Sequence, residues 1–196
     1  MFPDLTRDDV FRIETRRLWL RWPRARDAQA IVRLAGERAV AEMTARIPHP
    51  LPRTEVEAFL LDARARNSAG AGLTLALSRR SDPAGLIGIV GLAEGADGVP
   101  ELGYWLGRPD WGTGLMSEAA RALVDAFFAY AGGEVVQASA RVENEASRHV
   151  LAACGFQHTA RAQRAFPARG GDLTVDLYRL DRARWLNRQV PTAEAA

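Results

Sequence analysis

The sequence predicts a mixed α/β (α+β) domain, one largely antiparallel sheet of about seven strands carrying about four helices. Two observations lead there. Three short apolar runs, at 73–78, 86–92 and 101–106, are separated only by turn-forming stretches at 81–85 and 94–98. Such spacing is that of an antiparallel meander. The helix-period segments interrupt the strands in the order strand, two helices, three strands, helix, strand, helix, two strands. A doubly wound fold would alternate the two more strictly.

In chain order, residues 1–12 read as a loosely ordered lead-in, and Ile13 to Trp22 as a first strand with Leu18, Leu20 and Trp22 on one face. Asp27 is placed to cap a helix carrying Ile31, Leu34 and Ala35. Pro48, Pro50 and Pro52 make 44–53 a loop. Thr54 with Glu57 three residues on reads as a capping box for a second helix reaching Asn67. After the meander, a long helix opening at Gly114 buries Ala119, Leu123, Val124, Phe127 and Phe128, with Arg121 and Asp125 as an exposed i,i+4 pair. Gly132 and Gly133 stop it. Val135–Ala140 is a strand, Asn144 caps a short helix carrying Val150 and Leu151, and Gly155 ends that helix. Residues 156–166 and 172–180 form two last strands, and a polar tail begins near Asn187. One domain over 1–196, with its core at about 13–187, is expected from this length.

Composition excludes several chemistries. All 26 basic residues are arginine. Without lysine there is no Walker phosphate loop, no pyridoxal Schiff base and no kinase strand lysine. One cysteine, Cys154, and three scattered histidines give no metal-ligand spacing, so no metal is expected. No Gly-x-Ser-x-Gly elbow occurs. A net charge of +2, with arginines interleaved among acids, argues against nucleic-acid binding. No apolar run approaches the roughly 20 residues of a membrane span, and the acidic start at 1–10 does not resemble a signal peptide. The lone cysteine points to a reducing compartment, and the expected location is the cytoplasm.

The chemistry is concentrated in Glu101–Ala120. An apolar strand passes through Pro109 and Asp110 into Gly112-Thr113-Gly114 and then a helix start. Glycines let the backbone approach a ligand, and the free N–H groups of a helix N-terminus, aided by its dipole, attract phosphate. The residues by themselves leave the identity of that phosphate ligand open.

Five stretches, in this order, resemble the GNAT superfamily of acetyl-CoA-dependent N-acetyltransferases, and within it the RimJ/RimL-type branch that acetylates ribosomal-protein N-termini. They are Glu14-Thr-Arg-Arg-Leu18 with Leu20-Arg21, Glu101–Leu106, Trp111–Ala119, Arg141–Ser147, and Val150-Leu151 running to Gly155-Phe156. The resemblance covers roughly 13–187. It implies a sheet splayed near its middle and acetyl-CoA as co-substrate. Trp111, Gly112, Thr113, Gly114, Leu115, Met116 and Ser117 would hold the pyrophosphate. Leu106 and Asn144 would meet the pantetheine arm, which would lie between 101–107 and 135–141.

Acetyl transfer to an amine needs a base for the amine proton and often an acid for the thiolate. The tyrosine that relatives carry late in the short helix is Leu151 here, and a strand glutamate would fall near Ser139. Glu101 is the candidate base and Ser147, matching a serine proposed as acid in the RimL type, the candidate acid. Solvated strand edge and local helix capping compete with these roles. Tyr104, Trp105 and Trp111 divide between groove lining and core. The acceptor expected is the α-amine of a protein or peptide N-terminus, with a small amine such as an antibiotic, polyamine or amino acid as the rival, acted on by a monomer or homodimer. A dinucleotide oxidoreductase fits less well, since Ser117 fills the third glycine slot. A non-catalytic acyl-CoA-binding module is the remaining alternative.

Overall fold

The computed structural model describes residues 1–95 and 97–189. Eight strands form one sheet in the order β1-β2-β3-β4-β5-β6-β8-β7. They are β1 (Arg12–Glu14), β2 (Leu18–Arg21), β3 (Gly72–Arg79), β4 (Gly88–Glu94), β5 (Pro100–Leu106), β6 (Val135–Arg141), β7 (Gln157–Phe166) and β8 (Gly171–Asp181). The helices are α1 (Ala28–Ala35), α2 (Arg38–Ala41), α3 (Arg53–Ala69), α4 (Leu115–Tyr130), α5 (Glu145–Ala153) and α6 (Arg182–Gln189). The expected mixed α/β fold on a mostly antiparallel sheet is what forms.

Side chains alternate across each strand, so the sheet supports a core on either face. On one face Leu75, Leu77, Val90, Leu92, Leu102 and Val136 meet α4, including Leu123, Val124 and Phe128. On the other, Ala76 and Ile89 meet Ile31 of α1 and Val56 and Leu60 of α3. Neighbouring strands are antiparallel except β5 and β6, which are parallel and paired only at Glu101↔Gln137 and Leu102↔Ala138. Beyond those two pairs the strands diverge, leaving a gap in the middle of the sheet.

Several local expectations need correction. The first expected strand is two, because Thr15 N donates to Leu18 O (3.0 Å) and closes a turn between β1 and β2; this is why the sheet has eight strands. The lead-in is anchored, with Phe2 buried against Phe127 at 5.8 Å between ring centroids. Asp27 stands at the N-cap of α1 but makes no side-chain capping bond to that helix. Its buried carboxylate takes both terminal nitrogens of Arg21 at 2.8 Å and Arg24 N at 2.7 Å. Removing one partner of such a buried pair costs about 3–5 kcal/mol. The capping box at Thr54 is absent too, since α3 begins at Arg53, two residues earlier than a Thr54 cap requires, with Pro52 at the N-cap and no side-chain bond. Arg121 also reaches Ala153 O, and Asp125 also meets the Trp185 indole and Arg188. At the C-terminus Arg182–Gln189 is helical, with Trp185 stacked on Phe128 at 5.3 Å. The remaining tail, 190–196, lies outside the described residues.

Candidate active site

The gap between β5 and β6 has two ends. Its closed end is the last parallel pair, Leu102↔Ala138. Its open end leads off Leu106 into a short turn at Arg108–Asp110 and the N-terminus of α4. Backbone polarity along β5 follows from register. Leu106 lies opposite Gly88 of β4, yet the ladder bond there is from Gly107 N to Ile87 O, 2.8 Å. In an antiparallel ladder this makes Leu106↔Gly88 a non-hydrogen-bonded pair, so the N–H and C=O of Leu106 face away from β4. The period of two extends this to Tyr104. Both residues therefore turn backbone polar groups toward the gap, as an extended arm would need. The Leu106 carbonyl already accepts from the Trp111 indole N–H at 2.7 Å, so the N–H is what Leu106 offers.

At the open end, Gly112 and Gly114 have φ of +72° and +73°. L side chains seldom adopt this region, which explains both glycines on backbone grounds. A Cβ at Gly112 would meet nothing within 4 Å, so the loop also leaves open space. Gly114 is the N-cap of α4 and supplies no capping side chain, leaving the first N–H groups of Leu115, Met116 and Ser117 for a ligand. Thr113 does not reach outward with its hydroxyl, which bonds Asp110 O at 2.5 Å. Asp110 is buried and paired with Arg79. Trp111 is 43% exposed, so it belongs to the site's surface rather than to the core.

A clamp on this loop escaped the sequence reading. Arg17 donates to Thr113 O (2.8 Å) and to Glu118 Oε2 (2.6 Å), and Glu118 Oε1 accepts from Thr15 Oγ1 (2.6 Å) and Arg17 N (2.8 Å). Burial would raise the Glu118 carboxyl, but these hydrogen bonds outweigh it and hold it below the ordinary glutamate value. The β1–β2 turn is thus tied to both ends of the loop. The only sequence signal was that both partners fall within the resembling stretches, about 100 residues apart.

At the closed end, Glu101 Oε1 accepts from Ser139 Oγ at 3.0 Å. The carboxylate missing from β6 at position 139 is delivered there from the neighbouring strand. Across the sheet from it, on the α5 face, Tyr104 Oη lies 2.8 Å from Ser147 Oγ. Burial pushes the Tyr104 hydroxyl well above the usual tyrosine value, the bond to Ser147 opposing. Asn144 Oδ1 accepts from Ser147 N at 3.0 Å, so Asn144 is the α5 cap, as expected. Leu151 is fully buried, and Trp105 packs into the α1/α3 core. Cys154 is buried and its thiol is pushed up to about 11, which makes it a poor nucleophile.

One side of the gap is walled by the proline loop. Arg141 Nη1 donates to Glu42 O (2.6 Å), Ala168 N to Ala45 O (3.1 Å), and Arg169 to Ile47 O. His49 Nδ1 is bonded to Gly36 O at 2.8 Å, away from any catalytic partner. Among the described residues no group of three His, Cys, Asp or Glu side chains is placed to hold a metal ion, and no helix is long and apolar enough to cross a membrane.

A splayed β5/β6 pair leading into a glycine loop at a helix start narrows the comparison with known proteins. The family model described as an acetyltransferase (GNAT) domain matches residues 17–157. The chain belongs to the GNAT acetyltransferases. No curated protein sequence matches it. Among solved structures, RimJ of Mycobacterium smegmatis in complex with CoA-disulfide is 20% identical, covering 96% of this chain and 97% of its own, with a TM-score of 0.74. Ribosomal-protein-S5-alanine acetyltransferase of Vibrio fischeri is 19% identical over 89% and 98%, with a TM-score of 0.76. The microcin C7 self-immunity acetyltransferase MccE, in complex with acetyl-CoA and AMP, is 18% identical over 85% and 93%, TM-score 0.72. At these identities the likeness is one of fold. The family uses acetyl-CoA, and this chain is an acetyltransferase.

Proposed function

We propose that the whole chain works as one domain that transfers acetyl from acetyl-CoA to the α-amine of a peptide or protein N-terminus. The observation that carries this is the β5/β6 gap, with the Tyr104 and Leu106 backbone turned into it and the open loop Gly112–Gly114 at its mouth. These features fit coenzyme A, which has an extended amide-bearing arm and a pyrophosphate. Bound acetyl-CoA supplies an acetyl group activated as a thioester.

The N–H groups of Gly112 to Ser117 hold the pyrophosphate, with Trp111 beside them. Leu106 N–H orients the arm, and Asn144 borders it at the α5 start. An arm anchored by its phosphates at the mouth carries its reactive end toward the closed end, where Glu101 and Ser139 sit. Glu101 takes the proton that the amine must lose. Ser147 donates toward the leaving sulfur, and backbone N–H groups of β5 stabilise negative charge on the thioester oxygen. Glu101 is exposed at this end of the gap, which accommodates the end of a longer chain.

The test is thiol release on incubation with acetyl-CoA and a panel of N-terminal peptides and small amines. Turnover with α-amines of peptides is expected. Productive transfer only to small amines would overturn the peptide reading. Stabilisation by coenzyme A without turnover on any acceptor would replace the enzyme by a binding module.

A further inference from the structure

We infer that Arg17 is a positioning residue for the cofactor loop. From the β1–β2 turn it fixes the Thr113 carbonyl and the Glu118 carboxylate, and so holds the backbone N–H groups between them ready for the pyrophosphate. The inference rests on the reading of that loop given above and adds the side chain that keeps it in shape.

From Gly112 to Ser117, no backbone N–H has a hydrogen-bond partner among the described residues. A row of free donors makes no bonds of its own to fix its direction. The two glycines within it, at positive φ, are also the residues whose backbone is least restrained.

Arg17 supplies the restraint from outside the segment. Its Nη1 donates to Thr113 O at 2.8 Å. A peptide unit is planar, with its C=O and N–H opposed, so fixing that carbonyl also fixes the direction of the Gly114 N–H. Arg17 Nε donates to Glu118 Oε2 at 2.6 Å, and Arg17 N to Glu118 Oε1 at 2.8 Å. Glu118 N in turn bonds Gly114 O at 3.1 Å, closing the first turn of α4. The N–H groups of Gly114, Leu115, Met116 and Ser117 therefore lie between two points tied to Arg17. Its Nη2 is 3.6 Å from where a Cβ on Gly114 would stand, so the guanidinium rests against the loop itself. The Arg79–Asp110 pair, by contrast, holds the turn before the glycines and not the row of donors.

Charge acts in the same direction. Glu118 stands in the first turn of α4, where a bare carboxylate would repel a bound phosphate. Its carboxyl is held below the ordinary glutamate value, so the charge is present at neutral pH, and Arg17 balances it.

The experiment compares two acyl donors on the full chain with one peptide acceptor. S-acetyl-pantetheine carries the reactive arm of acetyl-CoA but no nucleotide and no pyrophosphate. Arg17→Gln is expected to lower the ratio of kcat/KM for acetyl-CoA to that for S-acetyl-pantetheine by about tenfold or more, the weight of one charge-assisted hydrogen bond. General damage to the fold would lower both alike. A wild type that prefers acetyl-CoA, with the ratio unmoved in Arg17→Gln, would overturn the inference alone. A wild type that does not distinguish the donors would remove the phosphate site and the inference with it.

A second readout needs no turnover. In calorimetric titration with coenzyme A, Arg17→Gln should weaken the dissociation constant about tenfold. Arg17→Lys keeps the charge, but its ammonium lacks the fork that spans both acceptors. It should also bind more weakly than wild type, by no more than Arg17→Gln does, and it decides the matter if Arg17→Gln fails to fold. Lysine at 17 binding as tightly as arginine would mean that charge alone is needed and would defeat the positioning role.

Discussion

The two ends of the β5/β6 gap are built in opposite ways. The mouth is made of consecutive residues, from the turn at Arg108–Asp110 through the first turn of α4, and its shape is forced by two positive φ angles. The closed end and its wall are assembled from side chains far apart in sequence. Glu101 and Ser139 meet across two strands, Tyr104 and Ser147 across strand and helix, and the proline loop is held by Arg141, Ala168 and Arg169. The mouth is specified by backbone conformation and the closed end by tertiary contact. The first tolerates little substitution at its glycines, while the second can vary without rebuilding the first.

The sharpest way to break this contrast is at the closed end. Glu101→Gln should lower kcat at neutral pH by about 10²–10³-fold with coenzyme A affinity preserved. Activity should recover at high pH, where free amine is abundant. A pH–rate profile matching the wild type would take Glu101 out of the mechanism. At the mouth, Gly114→Asp combines a side chain at φ +73° with a negative charge at the phosphate position. It should weaken coenzyme A binding about a hundredfold, from roughly 1–2 kcal/mol of backbone strain plus charge repulsion. Thermal shift with and without coenzyme A measures it, and an unchanged shift would dissociate the loop from the cofactor.

The wall should separate acceptor from cofactor. Arg169→Ala removes the tie to Ile47 and is expected to raise the acceptor KM about tenfold, through loss of a charge-assisted bond of roughly 1.5–3 kcal/mol, leaving coenzyme A affinity in place. Equal losses for both ligands would mean that the wall is not specific to the acceptor.

The smallest effect concerns the clamp. Glu118 has a depressed carboxyl value in the folded chain, so its contribution to stability is present above the unfolded value of about 4.3 and is lost as pH falls through the lower folded value. Glu118→Gln should cost about 1 kcal/mol at neutral pH and lose part of the acid sensitivity below about pH 4. Urea midpoints across pH test this. Parallel profiles for wild type and variant would mean that the clamp adds no pH-dependent stability.

Much of the fold was legible because its signals are local. The meander runs, the α4 stripe from Ala119 to Phe128 and the stops at Gly132 and Gly155 appear where periodicity and turn chemistry place them. Errors fell where a local motif lost to a distant partner. Asp27 looks like a cap by its neighbours, but a buried guanidinium six residues earlier outbids the helix N–H groups for its carboxylate. Thr54 fails as a cap because the helix already begins at Arg53, behind Pro52.

By itself the sequence marked a glycine loop and helix start as the place where a phosphate-bearing ligand is expected. Glycine spacing and a helix start are properties of a contiguous chain, and the absence of lysine removes rival phosphate chemistries without any structure. Tertiary structure alone decided that the parallel β5/β6 pairing stops after two residue pairs, that the Leu106 carbonyl is already bonded to Trp111, and that two β5 side chains, Tyr104 and Glu101, meet Ser147 and Ser139. Each depends on which strands become neighbours and in what register. A one-dimensional pattern cannot carry that information, because the partners that fix register lie tens to a hundred residues away.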